Sequence, residues 1–310
     1  MKLGTNIDRL VQVAVAAKVA QPVTRGYQVS AGGQPRMLPL LGGIVYNVRC
    51  GDPAMGWAAD HLEPGVALEL PRAEEAAVRA LNTFAQLGNP ARVLTGAAKG
   101  ARGVVTGKHG GIEHVHVDFA PRDLERMAIG DQVQIRTFGL GLELADFPAV
   151  RVMNLDPRVL GRMRLAVSGG KLVVPVALII PAELMGSGLG QSHCQSGDYD
   201  IQTADPASVK RWGLGRLRLG DFVAVLDADH SFGRIFRKGA VSVGVVVHGD
   251  CVQSGHGPGL VTAFTSATGK IRPKVVARGA NLAELLGIGA SRRGRARSPA
   301  PRVSRRARTL

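Results

Sequence analysis

All eight histidines of the chain lie between His61 and His256, most with a carboxylate or a glycine within two residues. Imidazoles and carboxylates in such company bind divalent metals and move protons near neutral pH. In EHVHVDF, strand alternation puts His114, His116 and Asp118 on one face and Glu113, Val115, Val117 and Phe119 on the other. Two imidazoles at i and i+2 are spaced to share one ion, and the same pattern also suits a solvent-facing strand edge. LDADHSFGR (226–234) follows the strand-like DFVAV and delivers Asp227, Asp229 and His230 at its end. In VHGDCVQSGHGPG (247–259), His248, Asp250, Cys251 and His256 follow the continuous apolar run AVSVGVVV. Polar residues stationed where a buried strand emerges are firmly held, as a preorganised site requires. Gly249, Gly255, Gly257 and Gly259 permit approaches that a Cβ would block.

These clusters predict a site for Zn²⁺ or Mn²⁺. Its expected ligands are Asp200, Asp229, His230, His248, Asp250 and His256, with His109 and His114 from the earlier stretch. Asp198, not ligating, is expected to take a proton from a water whose pKa the ion lowers toward about 7. Cys251, beside Asp250, is a second candidate nucleophile, although a small buried cysteine is the commoner state. Asp52, Asp60, His61 and Glu63 add polar groups from the loop RCGDPAMGWAADHLEPG (49–65).

Two nucleotide motifs fail their context. GSGLG (186–190) is followed by the polar QSHCQSGDYD and not by a helix, and VTGKHGG has Arg102 at the first P-loop glycine and His109 where Ser or Thr must bind magnesium. No dinucleotide or nucleotide cofactor is therefore expected.

The elements that position these residues read as α+β, mainly β, with short helices and glycine-rich turns. PRAEEAAVRALNTFAQLGN predicts a helix over 71–87. Glu74 and Glu75 suit its first turn, Ala77, Leu81, Phe84 and Leu87 have helical spacing, and Gly88 and Asn89 stop it. RVLTG, RGVVTG, EHVHVDF and DQVQIRTF then alternate like short strands. MAIGDQVQI and LRLGDFVAV echo each other, with Gly130 and Gly220 ninety residues apart. Each copy follows a His/Asp cluster (His109, His114, His116 and Asp118; His193, Asp198 and Asp200) and a Pro-containing connection, PRDLERM or PASVKRW. The echo suggests two related β-rich units. The expected divisions are 1–90, an N-terminal segment holding loop 49–65 and helix 71–87; 91–165, a first β-rich unit; 166–290, a second with the His/Asp clusters; and 291–310, a tail.

At 310 residues, with 41 glycines and 4% aromatics, the chain has length for roughly two turn-rich domains. The formal charge of +15 points toward nucleic acid until its location is seen: SRRGRARSPAPRVSRRARTL holds eight arginines and no acid, leaving 31 Lys+Arg against 24 Asp+Glu elsewhere. That tail is expected to be disordered and to bind nucleic acid only weakly, through salt-sensitive phosphate contacts. Cys50, Cys194 and Cys251 form no CxxC pair and fit a reducing cytoplasm. Leu172 to Ile180, the longest apolar run, is far short of the roughly 20 residues a membrane span needs.

GDPAMGWAADHLEPGV, GVVTGKHGGIEHV, LMGSGLG, GDYDIQT, DADHSFGR, KGAVSVGVVVHGDC and SGHGPG together resemble, over about 40 to 265, an uncharacterised prokaryotic family, a domain of unknown function with N- and C-terminal parts. More distantly, GDYDIQT and HGDCVQSGHG are similar to the acetamidase/formamidase family, whose Gly-Asn-x-Asp segment precedes a Gly-Asp-x-His stretch. Asp198 stands where that family has Asn, and Val252 where it has His. The functional expectation is a metal-dependent, hydrolase-like enzyme acting on a small amide or related polar molecule. The alternative is a non-catalytic ligand-binding or assembly protein, and a homo-oligomer suits either.

Overall fold

The computed structural model describes residues 3–24, 26–39 and 41–291, so the arginines of the expected tail lie outside the described residues. Strand β1 (Val13–Val19) is followed by a hairpin, β2 (Gln28–Val29) and β3 (Pro35–Arg36), and then by β4 (Val66–Glu69). After helix α1 (Glu75–Phe84) come β5 (Pro90–Val93), β6 (Arg102–His109), β7 (His114–Asp118), the short helix α2 (Pro121–Leu124) and β8 (Gln132–Thr137). The strands of this half other than the hairpin close into a barrel in the order β1-β4-β7-β6-β5-β8. Alternation fills it: in β8, Val133 and Ile135 point inward while Gln132, Gln134 and Arg136 face out. Val115 and Val117 of β7 join the same core, which leaves His114 and His116 on the other face.

The helix starts and stops inside the predicted span. Its first turn begins after a turn at Pro71, and Ala85 is already extended. Leu87 leaves the helical path because its amide donates to the Asn154 carbonyl and it bridges Leu155 in parallel. A tertiary pairing thus ends the helix before Gly88 does.

The second half is an open mixed sheet with a smaller companion. Beyond β9 (Arg151–Val152) and α3 (Pro157–Leu160), the apolar run Leu172 to Ile180 divides between sheets. β10 (Ala166–Ser168) and β11 (Lys171–Val176) belong to a three-stranded sheet, and β12 (Leu178–Pro181) belongs to the larger one. β13 (Tyr199–Asp200), α4 (Pro206–Trp212), β14 (Phe222–Asp229), β15 (Ile235–Val246) and β16 (Gly259–Ser266) follow. β17 (Ile271–Val275) returns to β11, and α5 (Leu282–Leu286) ends the fold. The larger sheet runs β12-β14-β15-β16-β13. β15 is buried from Ala240 to Val246, as its apolar run predicts. The architecture is α+β, mainly β.

The sequence echo is a local device. Arg49, Ala128 and Arg218 each start a turn whose Asp, at 52, 131 and 221, accepts from the backbone N–H three residues earlier at 2.9, 2.8 and 2.8 Å. The glycines at 51, 130 and 220 take φ of 97°, 85° and 89°, which a side chain resists. One such turn enters barrel strand β8 and another enters β14 of the open sheet. Both Pro-containing connections are helical, as α2 and α4. The division at residue 90 passes through the barrel, which takes β1 and β4 from before it and β5 to β8 from after it. Among the described residues, no helix is long and apolar enough to cross a membrane.

Candidate metal centre

Loop 49–65 is fixed at both ends before it presents its polar groups. The Arg49 guanidinium reaches Asp118 at the end of β7 at 2.7 Å, with both side chains buried. Downstream, the His61 N–H donates to the Asp250 carbonyl and the Gly249 N–H to that of Leu62, both at 2.9 Å. Asp60, His61 and Glu63 are thereby laid between the barrel and the segment that follows β15. β6 ends at His109, β7 carries His114 and His116, and β13 ends at Asp200 with Asp198 just before it. His248, Cys251 and His256 come from the stretch between β15 and β16. Asp52 is a turn-capping residue and does not join them.

Two centres of contact result. Glu63 gathers imidazoles: His109 Nδ1 lies 2.7 Å from its Oε1, His114 Nδ1 2.9 Å from Oε2 and His116 Nε2 3.2 Å from Oε1. The second centre is His248, whose Nε2 stands 2.7 Å from Asp198 Oδ2 and 3.3 Å from Asp200 Oδ1. Asp200 Oδ2 in turn contacts His256 Nδ1 at 2.9 Å, and His256 Nδ1 lies 3.1 Å from His61 Nε2. The His109 and His248 rings stack 4.2 Å apart and join the two centres.

Burial and charge compete at each group. Burial opposes ionisation of Glu63, yet His116, His109 and His114 hold its carboxyl well below the usual range. Burial also opposes charge on His248, but Asp198 and Asp200 raise its pKa well above that of free imidazole. For His109, burial dominates and neighbouring His248 adds to it, so its pKa falls. Asp198 and Asp200 stay ionised, held down against burial chiefly by His248. Burial and Asp60 push the Cys251 thiol up, the reverse of what a thiolate nucleophile needs.

The details at His248 and Asp198 fit a metal ion. At 2.7 Å the two atoms are close enough to bond, yet neither His248 Nε2 nor Asp198 Oδ2 has an aligned hydrogen-bond partner, and both are fully buried. Co-ligands of one ion sit this way, aimed at a shared point and not at each other. The other ring nitrogens are committed: His248 Nδ1 to the Gly249 carbonyl at 2.8 Å and His109 Nδ1 to Glu63. Such outer contacts fix which nitrogen is free to ligate. Among the described residues, ligand atoms within 4.8 Å of one another form three sets: His109, Asp198 and His248; Glu63, His109 and His116; and His61, Cys251 and His256.

Of the expected ligands, Asp200, Asp229, His230, Asp250 and His114 fall in none of these sets, although Asp200 stays within the cluster beside His248 and His256. Asp229 pairs with Arg237 at 3.2 Å. His230 Nδ1 bonds Thr262 Oγ1 at 2.9 Å, and burial, reinforced by Arg234, lowers its pKa to about 3. Asp250 accepts from Thr203 and from the Cys251 amide. His114 stays close but is engaged by Glu63. β14 and β15 are antiparallel, so the chain ends at Asp229 and at His248 lie at opposite ends of that pair. His116, absent from the expected set, was detectable from its alternation with His114.

Gly259 supplies a direct probe of this point. A Cβ there would lie 2.0 Å from Asp198 Oδ2 and 2.2 Å from His248 Nε2, and the glycine's φ is not in the left-handed region, so the backbone itself tolerates alanine. Gly259→Ala is expected to cut zinc affinity at least roughly tenfold while leaving far-UV circular dichroism unchanged, because the added methyl displaces only the two ligand side chains. Equal affinity in a chelator competition assay would place the ion elsewhere.

The fold and the site define a mainly β protein, barrel joined to mixed sheet, with a buried histidine–carboxylate cluster able to hold a metal ion. The chain belongs to the family described as the domain of unknown function DUF4438, matching its N-terminal model over 27–161 and its C-terminal model over 162–286. It is similar to a solved structure titled "Crystal structure of TM1086", with 46% sequence identity and a TM-score of 0.86 over 91% of this chain and 98% of that one. No curated protein matches the chain, so the likeness to acetamidases rests on its two short segments alone.

Proposed function

We propose that His109, Asp198 and His248 hold one divalent ion, zinc or manganese, and that the protein is a metal-dependent hydrolase acting on a small polar substrate such as an amide. The observation that carries this reading is the pair of buried atoms His248 Nε2 and Asp198 Oδ2, 2.7 Å apart yet without an aligned hydrogen bond. Two imidazoles and a carboxylate are a ligand set that leaves a coordination position open, and the ion would activate water and polarise a carbonyl there. Sequence reasoning gave Asp198 the proton and Asp200 the metal, but the geometry favours the exchange of these roles. Asp198 joins a ligand set with His109 and His248 and is held in place by the Gly110 amide at 2.8 Å, whereas Asp200, which lines the same cavity, joins no set and touches His256 as well as His248. Asp200 would accept the proton of a water on that ion, and His256, 30% exposed, would pass it toward solvent.

The test combines elemental analysis with a hydrolysis screen of acetamide, formamide and N-acyl amino acids on zinc-loaded protein. Asp200→Asn is expected to keep its metal and to lose roughly 10²-fold or more in turnover. Turnover unaffected by a chelator, or an unchanged rate in Asp200→Asn, contradicts the reading.

A further inference from the structure

The cavity over the cluster measures about 330 Å³ and is lined by His61, His109, Asp198, Asp200 and His256, and also by Arg234. Arg234 precedes β15 and is 2% exposed. Its guanidinium makes long bonds, 3.3 Å each, to the carbonyls of Gly188 and Ser196 and lies against the Cys194 thiol, and among the described residues its Nε has no hydrogen-bond partner. Among the described residues no carboxylate pairs with it, since neighbouring Asp229 is taken by Arg237. The Tyr199 ring lies beneath the guanidinium, its centroid 5.5 Å away, and the Arg234 backbone is pinned to Gly190 and Gln191. A buried cation without a counter-charge is costly, and one held rigidly in a cavity wall is relieved when an anion docks there.

We infer that Arg234 is a specificity-determining residue that binds the carboxylate of a small organic anion, whose hydrolysable group then faces the metal cluster. This rests on the cluster being the catalytic centre of the same cavity. A carboxylate is preferred to a phosphate because one guanidinium faces a cavity that already contains Asp198, Asp200 and Glu113, a setting that tolerates a single added negative charge. Leu41 and Ile112 give the rest of the molecule an apolar wall, and the volume is that of a small metabolite-sized ligand.

Chelator-treated, full-length protein is titrated by calorimetry or NMR with N-acetylglycine, its uncharged amide N-acetylglycinamide, and inorganic phosphate. N-acetylglycine is expected to bind at least roughly tenfold more tightly than the other two, and Arg234→Gln to erase that difference while Arg234→Lys keeps part of it. Thermal unfolding of both variants confirms that they are folded. No binding of N-acetylglycine, equal binding of its amide, preference for phosphate, or an unchanged Arg234→Gln overturns the inference. Because the titration uses metal-free protein, it stands apart from the metal reading: carboxylate selectivity without zinc uptake defeats only the latter, and zinc uptake without selectivity only the former.

Discussion

Alanine in place of His248 is expected to weaken zinc binding by roughly 10²–10³-fold. A complete protein zinc site is worth about 10–16 kcal/mol, so one ligand among three or four supplies about 3 kcal/mol or more. The Nε2 of His248 lies 2.7 Å from Asp198 Oδ2, and His109 stacks on its ring. Asp198→Ala should lose a similar amount. Asp229→Asn, at the other end of the β14–β15 pair, should change the affinity by no more than about twofold. Competition against a zinc-binding dye measures all three, and an Asp229 effect as large as that of His248 would show that the ion sits elsewhere.

The largest loss of stability is expected from Arg49→Met. Arg49 bonds both carboxylate oxygens of Asp118 and the Phe119 carbonyl, and Asp118 also receives the Gly289 amide at 3.2 Å. One buried ion pair thus ties loop 49–65, barrel strand β7 and the segment after α5 together. Removing the cation leaves Asp118 charged and buried, which costs about 3–5 kcal/mol and lowers the melting temperature by on the order of 10 °C. The loop that carries His61 and Glu63 loosens with it, so zinc affinity falls in the same variant. Thermal unfolding with and without zinc reads both effects, and a melting temperature unchanged in both conditions would mean that the pair does not anchor the loop.

Local pattern made parts of this molecule legible in the sequence. Alternation in EHVHVDF separates the barrel-core valines from the histidines, and the unbroken apolar run before His248 marks a buried strand delivering a polar residue to the interior. Period and burial are properties of a few consecutive residues. Glu63 was visible only as one acid of a polar loop, and its contact with His109, His114 and His116 depends on the Arg49–Asp118 anchor, a pairing across 69 residues that no local pattern encodes. Asp229 and His230 misled for the complementary reason. Asp229 ends a strand and His230 follows it, much as His248 follows β15, but which end of a sheet faces the barrel is set by strand direction and order. Arg234 carried no signal, because its lack of a counter-charge exists only once Asp229 has paired with Arg237.

The central claim is a metal ion on His109, Asp198 and His248, and anomalous diffraction at the zinc edge from zinc-treated crystals tests it most directly. The expected result is a peak bonded to Asp198 and to one nitrogen each of His109 and His248, at about 2.0–2.2 Å. A well-ordered cluster without a peak there, or zinc found only at sites away from these residues, would contradict it.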